Sequence, residues 1–201
     1  MIKLLSNVVR RGLAGDFSQF VKASSALVLV MMTGLAMAQP ENAPQRCQTE
    51  NIPATTPSEQ FHVNGDGTVT DTRTALMWMT CLVGLDGDLC AQGEALAMTW
   101  AKALRYAPEL NASGGFAGYT DWRLANIREL STLPELQCKS PAVNSEIFPG
   151  ALSSHVWSSS PYHFYTHYSW YVDFSNGAPT YDERIRDKMV RLVREAQPQE
   201  K

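Results

Sequence analysis

The densest run of chemically usable side chains lies between residues 157 and 171. Seven of the chain's 19 aromatic residues fall there: Trp157, Tyr162, Phe164, Tyr165, Tyr168, Trp170 and Tyr171. His163 and His167 interleave with them. The stretch from Pro161 to Ser169 holds no charged residue and shows no clean period, so it reads as a loop. Rings with polar tips stack on the faces of sugars or peptides. Trp157, Tyr162, Tyr165, Tyr168 and Trp170 are therefore the candidate ligand contacts. The competing expectation is that these rings roof the core.

Other groups offer less. His163 and His167 could share a metal, but no H-E-x-x-H pattern accompanies them and Asp173 is the one further donor nearby in sequence. No metal and no cofactor are expected. Ser158-Ser-Ser160 has histidines close in sequence, yet nothing places a base beside a hydroxyl. The chain has neither a G-x-S-x-G elbow nor a phosphate-binding loop, so no catalytic residue is assigned. Asp121, Arg123 and Glu129 read as a structural ion-pair group joining a strand to a helix. Arg184, Arg186, Lys188, Arg191 and Arg194 form a local basic set. On a strand, 184, 186 and 188 would share a face that could meet an anionic glycan.

Four cysteines, Cys47, Cys81, Cys90 and Cys138, allow three pairings. Cys81 and Cys90 are close enough to staple a local loop, worth about 2.5–3 kcal/mol by chain entropy. Cys47 would then pair with Cys138 and tie an N-terminal arm to the body. No C-x2-C pair is present, so zinc is not expected.

These groups need a scaffold. Residues 39–58, rich in Pro, Gln, Asn and Thr, read as an irregular arm ordered mainly through Cys47. Phe61-His-Val63 and Thr68-Val-Thr70 flank Asn64-Gly-Asp-Gly67 and read as a hairpin. That run lacks the spacing and closing Glu of a calcium loop. Leu76-Met-Trp-Met79 is an apolar strand. A helix is expected over 93–106, with Leu96, Ala97, Trp100, Ala101 and Leu104 as its apolar stripe. Residues 111–118 form a loop, and Asp121-Trp-Arg-Leu124 a short strand. Asn126 and Glu129 have the spacing of a capping box opening a second, short helix that ends near Pro134. Trp78, Trp100 and Trp122 are expected in the core. Strands follow at 156–158, 169–174 and 189–194, with Asn176-Gly177 as a turn and 195–201 as a polar tail. This order gives an α+β fold.

The first 38 residues read as a signal peptide. Lys22 precedes an apolar run to Ala36, and Ala36-Met-Ala38 is an A-x-A cleavage site before Gln39-Pro40. That run is about 16 residues, short of the roughly 20 that a membrane span needs. Cleavage would leave no stable membrane span. All four cysteines lie beyond it, which suits an exported chain with disulfides. Of 17 basic and 20 acidic residues, the leader holds four (Lys3, Arg10, Arg11, Lys22) and one (Asp16). The remainder carries 13 against 19, a net charge of −6. That disfavours a nucleic-acid partner, which needs a basic face.

Several landmarks occur in a fixed order: Asp66-Gly-Thr-Val-Thr-Asp71, Leu76-Met-Trp78 with Cys81, Asp121-Trp-Arg-Leu124 with Arg128-Glu-Leu130, Phe148-Pro149, Trp157-Ser-Ser159 and Val190-Arg-Leu-Val-Arg194. Over residues 58–194 the chain resembles the C-terminal domain family of Lcl, a collagen-like bacterial adhesin. It departs from that pattern at Ala75, where the family usually has Gly, and at Ala125, where it favours Pro. The Trp-Arg-Leu and Val-Arg-Leu-Val-Arg segments are also similar to the formylglycine-generating enzyme domain. That likeness implies a C-type-lectin-like architecture, with residues 59–194 as the domain. It does not imply the enzyme's chemistry, which uses late cysteines; no cysteine follows Cys138 here.

The resulting expectation is a non-enzymatic, exported binding or adhesion module, periplasmic or at the cell surface, with a glycan as ligand. The alternative is a structural accessory that docks on an envelope protein. A formylglycine-generating-enzyme-like activity ranks third.

Overall fold

The computed structural model describes residues 44–197. The expected signal peptide and the first residues of the arm lie outside them. The arm closes on the body through a short ladder: β1 (Arg46–Cys47) pairs antiparallel with a later strand, Cys138–Lys139. Phe61–Val63 (β2) and Thr68–Asp71 (β3) form the expected hairpin, with Gly65 and Gly67 at positive φ in its turn. Leu76–Met79 (β4) pairs with β3 across the turn at 72–75. Ala75 holds φ at 55° in that turn. This left-handed position explains why a glycine suits residue 75.

A small ladder of Leu85–Asp86 (β5) and Gln92–Gly93 (β6) sits within the loop after β4. The first helix, α1, spans Trp100–Ala112 rather than 93–106. A Cβ on Gly93 would come within 2.3 Å of the Gly84 carbonyl oxygen, so the backbone there is committed to the ladder. Leu96 and Ala101, both counted in the expected stripe, are exposed. The buried line is Ala103 and Ala107, flanked by the partly buried Trp100, Leu104 and Leu110. The helix also runs through Ala112, into the segment expected as loop.

Arg123–Leu124 (β7) leads into α2 (Ile127–Leu130). The capping box is present: Asn126 accepts from the Glu129 N–H, and the Glu129 carboxylate accepts from the Asn126 N–H at 2.8 Å. Cys138–Lys139 is β8. His155–Pro161 (β9), Tyr168–Asp173 (β10) and Ala178–Glu183 (β11) then form an antiparallel meander. β11 is not expected from the sequence; it is an edge strand of exposed and half-buried positions with Pro179 in it. The chain ends the fold with β12 (Leu192–Glu195), not a strand over 189–194.

β12 inserts between β4 and β7, so the main sheet runs β2-β3-β4-β12-β7. Period-two alternation gives it two apolar faces. Leu76, Trp78 and Val193 point to one cluster with Leu130, Leu133 and Phe148. Met77, Met79 and Leu192 point to the other, with Trp122, Ala103 and Ala107. Val156 and Val172 of the meander join the first cluster, Trp157 and the half-buried Tyr171 the second. The described chain is thus α+β, mostly sheet, with two helices.

Disulfides join Cys47 to Cys138 and Cys81 to Cys90. The arm is not held by Cys47 alone. Buried Glu135 accepts from the N–H and hydroxyl of both Thr55 and Thr56 at 2.8–3.0 Å, and from the Gln137 N–H. Burial raises its pKa, and these donors outweigh that, holding it below the ordinary 4.5.

Candidate functional site

Residues 162–167 connect β9 to β10. The loop is closed by Tyr162 N–H donating to the Tyr168 carbonyl at 3.1 Å and Tyr168 N–H to that of Tyr165 at 3.0 Å. The end of β11 fastens it: Arg184 donates from its backbone to the His167 carbonyl, and from Nε to the Tyr168 carbonyl and Ser169 hydroxyl. The Arg184 guanidinium lies 4.1 Å over the Trp100 ring.

On this base the rings form one cluster. Trp170 of β10 lies directly opposite Tyr181 of β11, so both share a face. Tyr162 stacks on Tyr181 with centroids 3.9 Å apart and planes 12° apart, and meets Trp170 edge-on at 5.2 Å. Tyr165 and Phe164 lie 5.9 and 5.6 Å from Tyr162, and Tyr168 lies 5.6 Å from Tyr165. Phe164, Tyr165, Tyr181 and Ile185 are 68%, 53%, 41% and 75% exposed. Desolvation, then the neighbouring Tyr181 phenol, raise the Tyr162 phenol above its usual 10.0, so that hydroxyl stays protonated near neutrality. Such a surface can stack on flat or ring-shaped apolar faces and offer phenolic hydroxyls at its rim.

The structure brings Tyr162, Tyr165, Tyr168 and Trp170 together and removes Trp157 from the set. Trp157 is fully buried, and its indole N–H donates to the Met98 carbonyl at 3.0 Å. Period two along β9 turns it toward α1 rather than outward. Tyr181 is the residue the sequence reading missed. A two-residue turn at Asn176-Gly177 would set Glu183 opposite Trp170; the observed connection is longer and sets Tyr181 there.

The ion-pair group divides. Arg123 makes two bonds to Glu129, at 2.7 and 2.8 Å, joining β7 to α2 as expected of a structural pair. Asp121 instead accepts from Arg194 at 2.7 and 3.1 Å. The Asp121 side chain belongs to β12's neighbourhood because Arg194 comes from that inserted strand. The Arg194 hydrogen bond holds the Asp121 carboxyl below the ordinary 3.8.

The basic set is not a surface patch. Residues 184–188 follow the end of β11 and share no strand face. Lys188, Arg191 and Arg194 are buried. Lys188 Nζ lies 4.0 Å over the Tyr171 ring and 2.6 Å from Asp182. Burial raises the Asp182 carboxyl, and Lys188 more than reverses this. Arg194 lies 3.9 Å over Tyr119. Arg191 donates to the Met79 and Thr80 carbonyls and lies 4.8 Å over Phe148. Burial pushes its guanidinium down to about 9, so it stays charged at neutral pH.

Ser158 donates from its hydroxyl to the Trp170 carbonyl, and the Ser160 hydroxyl accepts from the Ile127 N–H. The first ties β9 to β10 within the meander, and the second joins the meander to α2. Among the described residues, no three His, Cys, Asp or Glu side chains converge on one ion position, and no helix is long and apolar enough to cross a membrane.

A model of the Lcl C-terminal domain family matches residues 67–194, more than half of the chain. None of the curated proteins matches it. The chain belongs to the Lcl C-terminal domain family.

Proposed function

With that membership as premise, we propose that the protein is an exported, non-enzymatic binding module whose contact surface is the aromatic tip, and that its ligands are glycans. One observation carries this: Tyr162, Phe164 and Tyr165, from a loop without a charged side chain, form a contiguous, half-exposed cluster with Trp170 of β10 and Tyr181 of β11. Sugar rings present C–H faces to such rings and hydroxyls to phenols. The buried cations favour a neutral glycan over a polyanion. Two disulfides support an oxidising, extracytoplasmic compartment. A C-type-lectin-like architecture belongs to the same proposal.

A glycan-array screen with Trp170→Ala and Tyr181→Ala as controls tests it. The native protein is expected to bind a neutral set that both variants lose while remaining folded. No binding to any glycan by the folded protein sinks the lectin reading. Exposed Phe164 and Ile185 favour a second reading, in which the tip docks on an envelope protein.

A further inference from the structure

The hairpin turn of β2–β3, the disulfide loop after β4 and the second half of α1 enclose a cleft of about 680 Å³. It shares no residue with the aromatic tip. This volume lies within the range of sites that take drug-sized molecules. Its walls are apolar and aromatic, from Val63, Met79, Leu82, Tyr106, Leu110 and Phe116. Gly67 lets Phe116 close one end: a Cβ there would sit 2.8 Å from the Phe116 ring.

The charge at the mouth has one sign. Asp66, Asp86 and Asp88 line the cleft and are exposed, and no Lys, Arg or His is among its lining residues. Arg191 lies behind the wall, its guanidinium turned to the Met79 and Thr80 carbonyls. One cation behind the floor thus faces three carboxylates at the opening. Asp86 and Asp88 stand on the loop closed by Cys81–Cys90, which fixes them before any ligand arrives. The carboxylates do not converge on a single point that one metal ion could occupy. They suit a spread-out charge on an apolar body, and the lining includes two aromatic rings, Tyr106 and Phe116, of the kind that attract a cation.

We propose that this cleft binds an organic cation: an amine or quaternary ammonium carried on an aromatic or aliphatic body. The body fills the space between α1 and β4, and the ammonium group lies at the aspartate rim.

Calorimetric titration of the purified protein with 4-phenylbutyltrimethylammonium, 4-phenylbutanol and 4-phenylbutanoate tests this. The cation is expected to bind at one site, more tightly than the alcohol, with the carboxylate weakest. Asp66→Asn/Asp86→Asn/Asp88→Asn is expected to weaken the cation about tenfold and leave the alcohol unchanged. Asparagine can still accept the bonds that Asp66 and Asp86 take from Thr68 and Gly87. Val63→Lys, at a 58% exposed position on the rim, is expected to act in the same direction without disturbing the core. Trp170→Ala is expected to leave this titration unaltered, which separates it from the glycan reading. Cation binding no tighter than the alcohol, or equal in native protein and both charge variants, overturns the proposal.

Discussion

The aromatic tip and the segment from Lys188 to Arg194 invert each other. At the tip, rings that would ordinarily be buried stand in solvent, carried by a loop of residues 162–167. In the closing segment, cations that would ordinarily stand in solvent are buried, each against a ring: Lys188 on Tyr171, Arg191 on Phe148, Arg194 on Tyr119. The difference lies in available partners. A buried cation persists where carbonyls, carboxylates and ring faces replace its water. An exposed aromatic cluster is retained where something outside the fold gains by touching it. The closing segment thus serves stability, and the exposed tip is the surface for which contact is proposed.

Substitutions should separate the two regions, and the largest effect is expected at Arg191. Arg191→Ala leaves the Met79 and Thr80 carbonyls without their donor and opens space under Phe148. A loss of about 3–5 kcal/mol is expected in urea unfolding. If Arg191→Ala unfolds at the native urea concentration, the guanidinium has no structural part and the comparison fails.

Lys188→Met should cost less, about 1–3 kcal/mol, because Asp182 keeps some access to water. Its signature would be a weakened dependence of stability on pH.

Acid should act on the carboxylates that anchor the fold, among them the Asp121 and Asp182 partners of the closing segment. Asp121, Glu129, Glu135 and Asp182 all titrate below their ordinary 3.8 or 4.5 when folded. The unfolded chain therefore takes up protons first. Stability from these groups is complete above about pH 5 and is lost as pH falls through the ordinary values and below. Thermal melts between pH 3 and pH 7 check this.

The smallest stability effect belongs to the tip. Phe164→Ser and Tyr165→Ser should each change stability by no more than about 0.5 kcal/mol, while glycan retention falls. A large stability loss in either would mean that the rings serve the core, as the competing expectation from sequence holds.

Local patterns made part of this legible in advance. The Asn64–Gly67 turn, the apolar β4 strand and the Asn126–Glu129 capping box depend on neighbours within a few residues, so residue type and spacing specify them. The order of the expected strands and helices did the same for the α+β class. The 93–106 helix failed because a helical period is also met by Leu96 and Ala97 in an extended segment, which the close contact of Gly93 with Gly84 enforces. Trp157 and Trp170 illustrate the rest. Both sit in one aromatic window, and only strand register sends the first into the core and the second to the surface.

By itself the sequence determined that an aromatic, uncharged loop exists, which helix is capped and where the first hairpin turns. Only the tertiary structure decided which rings meet, because Tyr181 reaches Tyr162 through a strand pairing set by the length of a distant turn. It also decided that Lys188, Arg191 and Arg194 are interior. A charge enters a core only when partners from β4, from the edge of the meander and from the 116–121 loop arrive together, and no local spacing records that arrival.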